Sequence, residues 1–239
     1  MSDQTPAVPA PPWQRAPQRA AGRRRDPLTQ EAIVDAAMRI LDAEGLDALS
    51  MRRIADELDT GPASLYWHVG SKDGLLDLIF DRVIGEQRVP DPEAGQWREQ
   101  LKEVARDMRR TILRHRDIVR ISIGRIPMGP NAIRYSERVL AMLRAGGVPD
   151  RLAVLAFFLL TSVVNGFTMD ETGEPPADEP PLEEGAQMAR QYLASLPQSD
   201  FPNLIALADH FTVTDPEVRF ELLLDLFVEG LARRVEAGG

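Results

Sequence analysis

The chain has 239 residues, 44% of them hydrophobic and 27% charged, the ordinary composition of a soluble globular protein with volume for a core. It contains no cysteine, which excludes disulfides, thiolate metal sites and cysteine nucleophiles and fits a reducing, cytoplasmic setting. A net charge of −9 excludes a basic face over the whole molecule, so any anionic partner must meet local basic residues.

Residues 1–27 are rich in Pro, Ala and Arg and lack apolar periodicity, so a disordered or extended tail is expected there. The opening residues lack the basic and apolar regions of a signal peptide. Thr29 suits the N-cap of a first helix, whose Ile33, Ala36, Ala37, Ile40 and Leu41 recur at helical spacing and which Gly45 ends. Ser50 suits the cap of a second helix that buries Met51, Ile54, Ala55 and Leu58. A turn at Asp59-Thr60-Gly61 follows, and Pro62 starts a third helix to about Val69. Ser71 caps a fourth, with Leu75, Leu76, Ile79 and Val83 inward.

Beyond the breaker run after Val89, helices are expected over Trp97–His115, Ile118–Ile126, Asn131–Ala145, Asp150–Asp170, Leu182–Leu196, Phe201–Phe211 and Pro216–Val235. The run Leu152–Phe167 is apolar almost all round. It is slightly short for a membrane span, so a buried helix and no membrane association are expected. No strand pattern or repeat is present. The fold class is all-α: residues 1–27 a tail, 28–87 a small helical unit, and 88–239 a larger helical body.

Helices two and three, joined by a short turn, form the helix-turn-helix pattern. On the third, Leu65 and Val69 face inward, Ala63, Ser64, Tyr66 and Trp67 fall on the other side, and His68 lies at the boundary. Two large rings on the outside of a two-turn helix point to a partner, although packing against the body stays open for them. Arg52 and Arg53 at the start of the second helix, and Lys72 at the start of the fourth, oppose the helix dipole. An adjacent phosphate explains such cations.

These residues also carry a resemblance. "LDALSMRRIADELDTGPASLYWHVGSKDGLLDLI" resembles the DNA-binding unit of the TetR family of bacterial repressors, and within it the tetracycline-repressor branch, where "LYWHV" is identical. The likeness runs from about Leu28 to the C-terminus and is loose beyond the first part, where "HRD" (His115–Asp117) and the final helix still match. By position, it implies DNA contacts at Met51, Arg52, Pro62, Ala63, Ser64, Tyr66, Trp67, His68 and Lys72, on a double-stranded operator. Pro62 and Ala63 replace a Gln and a Pro of that branch, so the operator sequence should differ. Arg15, Arg19, Arg23, Arg24 and Arg25 either follow the minor groove or phosphates, or form a solubilising tail.

The resemblance further implies a homodimer paired through the last two long helices. On the final one Phe220, Leu223, Leu224, Phe227 and Leu231 form an apolar stripe, and Gly230 permits close approach; packing of that stripe within one chain is the alternative. A small-molecule effector among the middle helices is implied as well. The branch's metal-binding His, with its Asn and Phe, aligns with Ser122, Val104 and Met108, so no metal and no cofactor are expected. What stands there suits a mostly apolar ligand: Val104, Met108, Ile112 and Phe157, with Ser122, Arg125, Thr161, Ser162 and Asn165 as polar groups, or else ordinary core. An enzyme is disfavoured, because the three histidines show no ligand spacing and no nucleophile or phosphate-loop motif occurs. A DNA-binding regulator without an inducer stays open.

Overall fold

The computed structural model describes residues 28–92, 96–173, 182–212 and 215–238, and every regular element among them is helical. The tail and its arginines, and most of the acidic Pro-rich loop, lie outside the described residues. Capping chemistry places the first elements. Thr29 accepts the Ala32 N–H at 3.1 Å to start α1 (Gln30–Glu44). Ser50 accepts the Arg53 N–H to start α2 (Met51–Glu57). Ser71 accepts the Gly74 N–H to start α4 (Lys72–Ile84). Each such cap contributes about 1 kcal/mol.

Between them stands α3 (Pro62–Val69), with Pro62 in its first turn. Asp59 holds φ +47°, the left-handed geometry that turns the chain from α2 into α3 and that Asp tolerates. Ile33, Leu41, Ile54, Leu65, Leu75 and Ile79 are fully buried, so α1–α4 close on a shared apolar centre.

The body comprises α5 (Trp97–Arg114), α6 (Ile118–Ser122), α7 (Pro130–Ala145), α8 (Asp150–Thr172), α9 (Leu182–Ala194), α10 (Pro202–Ala206), a 3-10 turn at Ala208–Thr212 and α11 (Pro216–Glu236). α5 packs on α7, α8 and α11, while α4 reaches the body through α6 and α7. Two boundaries differ from expectation. α6 stops at Ser122, because Ile123 turns to ψ 127° and Gly124 takes φ +72°, so the apolar run up to Ile126 leaves the helix. The expected helix Phe201–Phe211 divides at Leu207 into α10 and the 3-10 turn.

α8 and α11 correct the expected burial. Within one chain α8 is covered on one side only, by way of Ala153, Ala156, Leu160, Val164 and Thr168. Val154, Leu155, Phe158 and Leu159 stand exposed. By length and composition α8 is apolar enough to cross a membrane, yet it packs on α5, α6, α7 and α11. On α11, Phe220, Leu224 and Leu231 of the expected dimer stripe are buried in the chain's own core, because their side of the helix meets α5 and α8. Leu223 and Phe227 are half-buried and Gly230 is exposed. The outward apolar face is instead Val218, Leu222 and Leu226, spaced one turn apart.

A buried charge cluster ties the far end of the body. Arg109 of α5 is 7% exposed. Its guanidinium donates to both oxygens of Glu171 at 2.8 and 2.9 Å and to Glu217 at 2.7 Å, and it lies 4.7 Å from the Phe220 ring centroid. Those partners sit on α8 and α11, so one side chain joins all three helices.

Candidate functional site

The outer face of α3 is formed as its helical wheel requires. Leu65 and Val69 are buried, whereas Pro62, Ala63, Ser64, Tyr66 and Trp67 are exposed. Tyr66 is 47% and Trp67 52% exposed, so neither ring packs on the body. His68 is half-buried, and its carbonyl accepts a hydrogen bond from Gln30 at 3.0 Å, which fixes α3 to the start of α1. Sequence reasoning missed Gln30, whose partner stands 38 residues away.

Around this helix the basic residues divide sharply. Arg53 is spent on Glu44 at 2.7 Å and Glu57 at 3.1 Å. Arg52 and Lys72 are exposed and form no ion pair among the described residues. Met51 differs from expectation: its side chain is 7% exposed and belongs to the core. What Met51 offers outward is its backbone N–H, one of the unsatisfied donors at the start of α2. Met51, Arg52 and Lys72 thus place donors and positive charge at two helix N-termini that flank α3.

Residues 28–85 contain eleven acidic groups against five basic ones, and the structure shows where part of that excess goes. Asp42 faces one ring nitrogen of His115 at 3.3 Å, and Glu86, just beyond this stretch, faces the other at 3.1 Å. Asp47 accepts from Arg120 at 3.0 Å. Asp73 and Asp77 accept from Arg125 at 2.9 and 2.5 Å. Carboxylates of the first unit thus meet His115, Arg120 and Arg125 of the body, and Arg52 and Lys72 form no ion pair among the described residues.

Arg125 is therefore corrected as an effector residue. Its guanidinium binds α4 and does not line the interior of the body. The other positions are distributed as follows. Val104, Met108 and Ile112 are buried on the inner side of α5. Phe157 is half-buried on α8, its ring 6.5 Å from that of Tyr135 on α7. The Thr161 and Ser162 hydroxyls donate back to the carbonyls of Phe157 and Phe158, and Ser162 is exposed. Asn165 is half-buried, and Ser122 donates to the Val119 carbonyl at 2.7 Å. Tyr135 escaped sequence reasoning, although its spacing from Ala132 and Val139 marks the inner side of α7. Burial raises its phenol pKa, and nearby Asp107 adds to the effect. An open groove of about 620 Å³ runs past Arg88, Val89, Glu103, Arg106, Asp107 and Arg110. Among the described residues, no group of three His, Asp or Glu is placed to hold a metal ion.

Residues 89–235 match the family described as "Tetracyclin repressor-like, C-terminal domain", and residues 33–79 match "Bacterial regulatory proteins, tetR family". The chain belongs to the TetR family. It is a helix-turn-helix, DNA-binding transcriptional regulator of repressor type, and its relatives are regulators and not enzymes. An HTH-type transcriptional regulator of Saccharopolyspora erythraea is 34% identical over 86% of this chain and 85% of its own. The class A tetracycline repressor of Escherichia coli is 29% identical over 87% of this chain and 92% of its own. Among solved structures, ActR from Streptomyces coelicolor in complex with actinorhodin has a TM-score of 0.81 and 48% identity, covering 87% of this chain and 97% of that one. This TetR-family chain thus shares its architecture, from α1 to α11, with a regulator seen bound to a small molecule.

Proposed function

We propose that this regulator binds an inverted-repeat operator as a homodimer and is released by a small, mostly apolar effector, acting in the cytoplasm. Residues 28–87 are the DNA-binding unit and 88–239 the regulatory and dimerising body. The observation that carries this reading is the α3 face: exposed Tyr66 and Trp67 beside an uncompensated Arg52 and Lys72. Pro62, Ala63 and Ser64 are small enough to let the start of α3 enter a major groove, with Tyr66, Trp67, His68 and Lys72 on phosphates. Arg52 reaches a guanine edge, and the Met51 N–H meets a phosphate.

The unpartnered apolar faces of α8 and α11 support pairing of two chains, which doubles the DNA contacts. The complexes of ActR with actinorhodin and with (S)-DNPA support a small-molecule effector. Val104, Met108, Ile112, Phe157, Thr161 and Asn165 are where we place it, with Ser122 and Ser162 at the margins. Release is a population shift: the effector favours a state in which α4 is re-aimed and the two α3 helices no longer match the operator spacing.

Arg52→Ala and Tyr66→Ala test the reading. Both should abolish binding to the DNA upstream of the protein's own gene in a gel-shift assay and leave the dimer intact in light scattering. Wild-type binding by both variants would sink it.

A further inference from the structure

Asp81 sits on α4 but serves α7. Its carboxylate, 8% exposed, accepts the Ala132 N–H at 2.9 Å and the Asn131 N–H at 3.3 Å, both in the first turn of α7. α7 has no cap of its own, since its N-cap is Gly129. A Cβ at Gly129 would overlap the Asp81 carboxyl, so glycine is what lets the two helices meet. The contact is returned by Asn131, whose amide donates to the Asp81 carbonyl at 3.2 Å. Asn131 in turn lies against Gly85, where a Cβ would come within 2.9 Å.

No cation bonds the Asp81 carboxylate among the described residues. Arg134 of α7 attracts it from farther away. Asp77 and Arg125, already paired with each other, share with it a cavity of about 20 Å³ between α4 and the segment before α7. A carboxylate is thus buried at the joint between α4 and the body with only amide groups to hold it.

We propose that Asp81 is a positioning residue that sets how firmly α4 docks on α7, and that its ionisation makes operator affinity pH-dependent. The proposal rests on the reading above that the aim of α4 sets the spacing of the two α3 helices. Burial is the strongest influence on the carboxyl and raises its pKa, outweighing the two N–H groups and Arg134, which lower it. The docked state therefore holds a proton more firmly than an undocked Asp81. Docking is favoured below the titration of Asp81 and weakened as pH rises through it.

Asp81→Asn mimics the protonated form, since its amide oxygen still accepts the Ala132 N–H. Wild type and variant are compared in two measurements: thermal unfolding from about pH 3.5 upward, so that the series starts below the ordinary carboxylate range, and affinity for the protein's own upstream DNA by fluorescence anisotropy wherever both proteins stay folded. The difference between the two proteins is what counts. The variant should match wild type at the acid end, and at the alkaline end unfold several degrees higher and bind several-fold more tightly. Parallel profiles across the whole range would overturn the proposal. Carboxyl NMR of the wild-type protein decides the matter should the variant not fold: Asp81 must titrate above the other aspartates, and titration among them refutes the idea. Unfolding and NMR need no DNA, so a failure of operator binding is separable from a failure of this proposal.

Discussion

Replacing Arg109 by Met tests whether the buried charge cluster holds α5, α8 and α11 together. Met keeps the apolar stem against Phe167 and Phe220 and removes only the guanidinium. Of the two carboxylates left behind, Glu171 decides the magnitude, because its side chain is 18% exposed whereas that of Glu217 is 65% exposed. Breaking a buried pair by removing one partner costs about 3–5 kcal/mol, and an exposed pair about 0–1 kcal/mol. For a chain of this size that corresponds to a melting point lowered by roughly 10–15 °C. Differential scanning calorimetry at fixed protein concentration measures it, since pairing of two chains, as proposed above, would make the melting point concentration-dependent. The penalty is one of uncompensated charge, so Arg109→Met with Glu171→Met should recover most of the loss. A single variant within 2 °C of wild type, on the order of 1 kcal/mol, or a double variant worse than the single, would refute the reasoning.

Phe158→Glu on α8 or Leu222→Glu on α11 puts a charge into each outward apolar face, and should give a folded monomer in light scattering with operator affinity largely lost. A variant that remains a tight dimer would place pairing elsewhere. Asp117 precedes α6 at φ +59° and accepts the Leu46 N–H at 2.8 Å and Arg120 at 3.2 Å. Burial works to raise its pKa, but that N–H and Arg120 outweigh it and hold the carboxyl below its ordinary value. Its stabilising contribution is thus present above the unfolded pKa and lost as pH falls through the folded one. Asp117→Asn keeps the left-handed geometry and should cost about 1 kcal/mol at pH 7. In urea melts the gap to wild type should close toward pH 3; a gap independent of pH speaks against the assignment.

Local chemistry made α1–α4 legible from the sequence. Thr29, Ser50 and Ser71 cap where a hydroxyl precedes an apolar run, Asp59 turns where its residue type permits, and the wheel of α3 sorts Leu65 and Val69 from Tyr66 and Trp67. α11 was only half legible, for a physical reason. Phe220, Leu224 and Leu231 form one apolar side and Val218, Leu222 and Leu226 another, and periodicity does not say which side meets the chain's own core. Met51 took a DNA-contact role by alignment, although its inward place in the α2 pattern already committed its side chain. Arg125 was beyond reach because its partners, Asp73 and Asp77, stand 52 and 48 residues away. An isolated Arg in an apolar run carries no sign of either.

The arrangement of charge resolves how a protein of net charge −9 presents a DNA-binding face. Asp42, Asp47, Asp73 and Asp77 all belong to α1–α4 or the turn after α1, and each meets a side chain of the body: His115, Arg120 or Arg125. These pairs hold that negative charge at the joint with the body. Each is an exposed or half-exposed pair worth about 0–1 kcal/mol, whereas burying one core Leu or Ile contributes about 1.5–3 kcal/mol. A re-aimed α4 would break these weak polar bridges together with part of its packing on α6 and α7, whereas Ile33, Leu41, Ile54 and Leu65 lie in the centre of α1–α4. In the function proposed above, these bridges are among the contacts that an effector re-aiming α4 would rearrange.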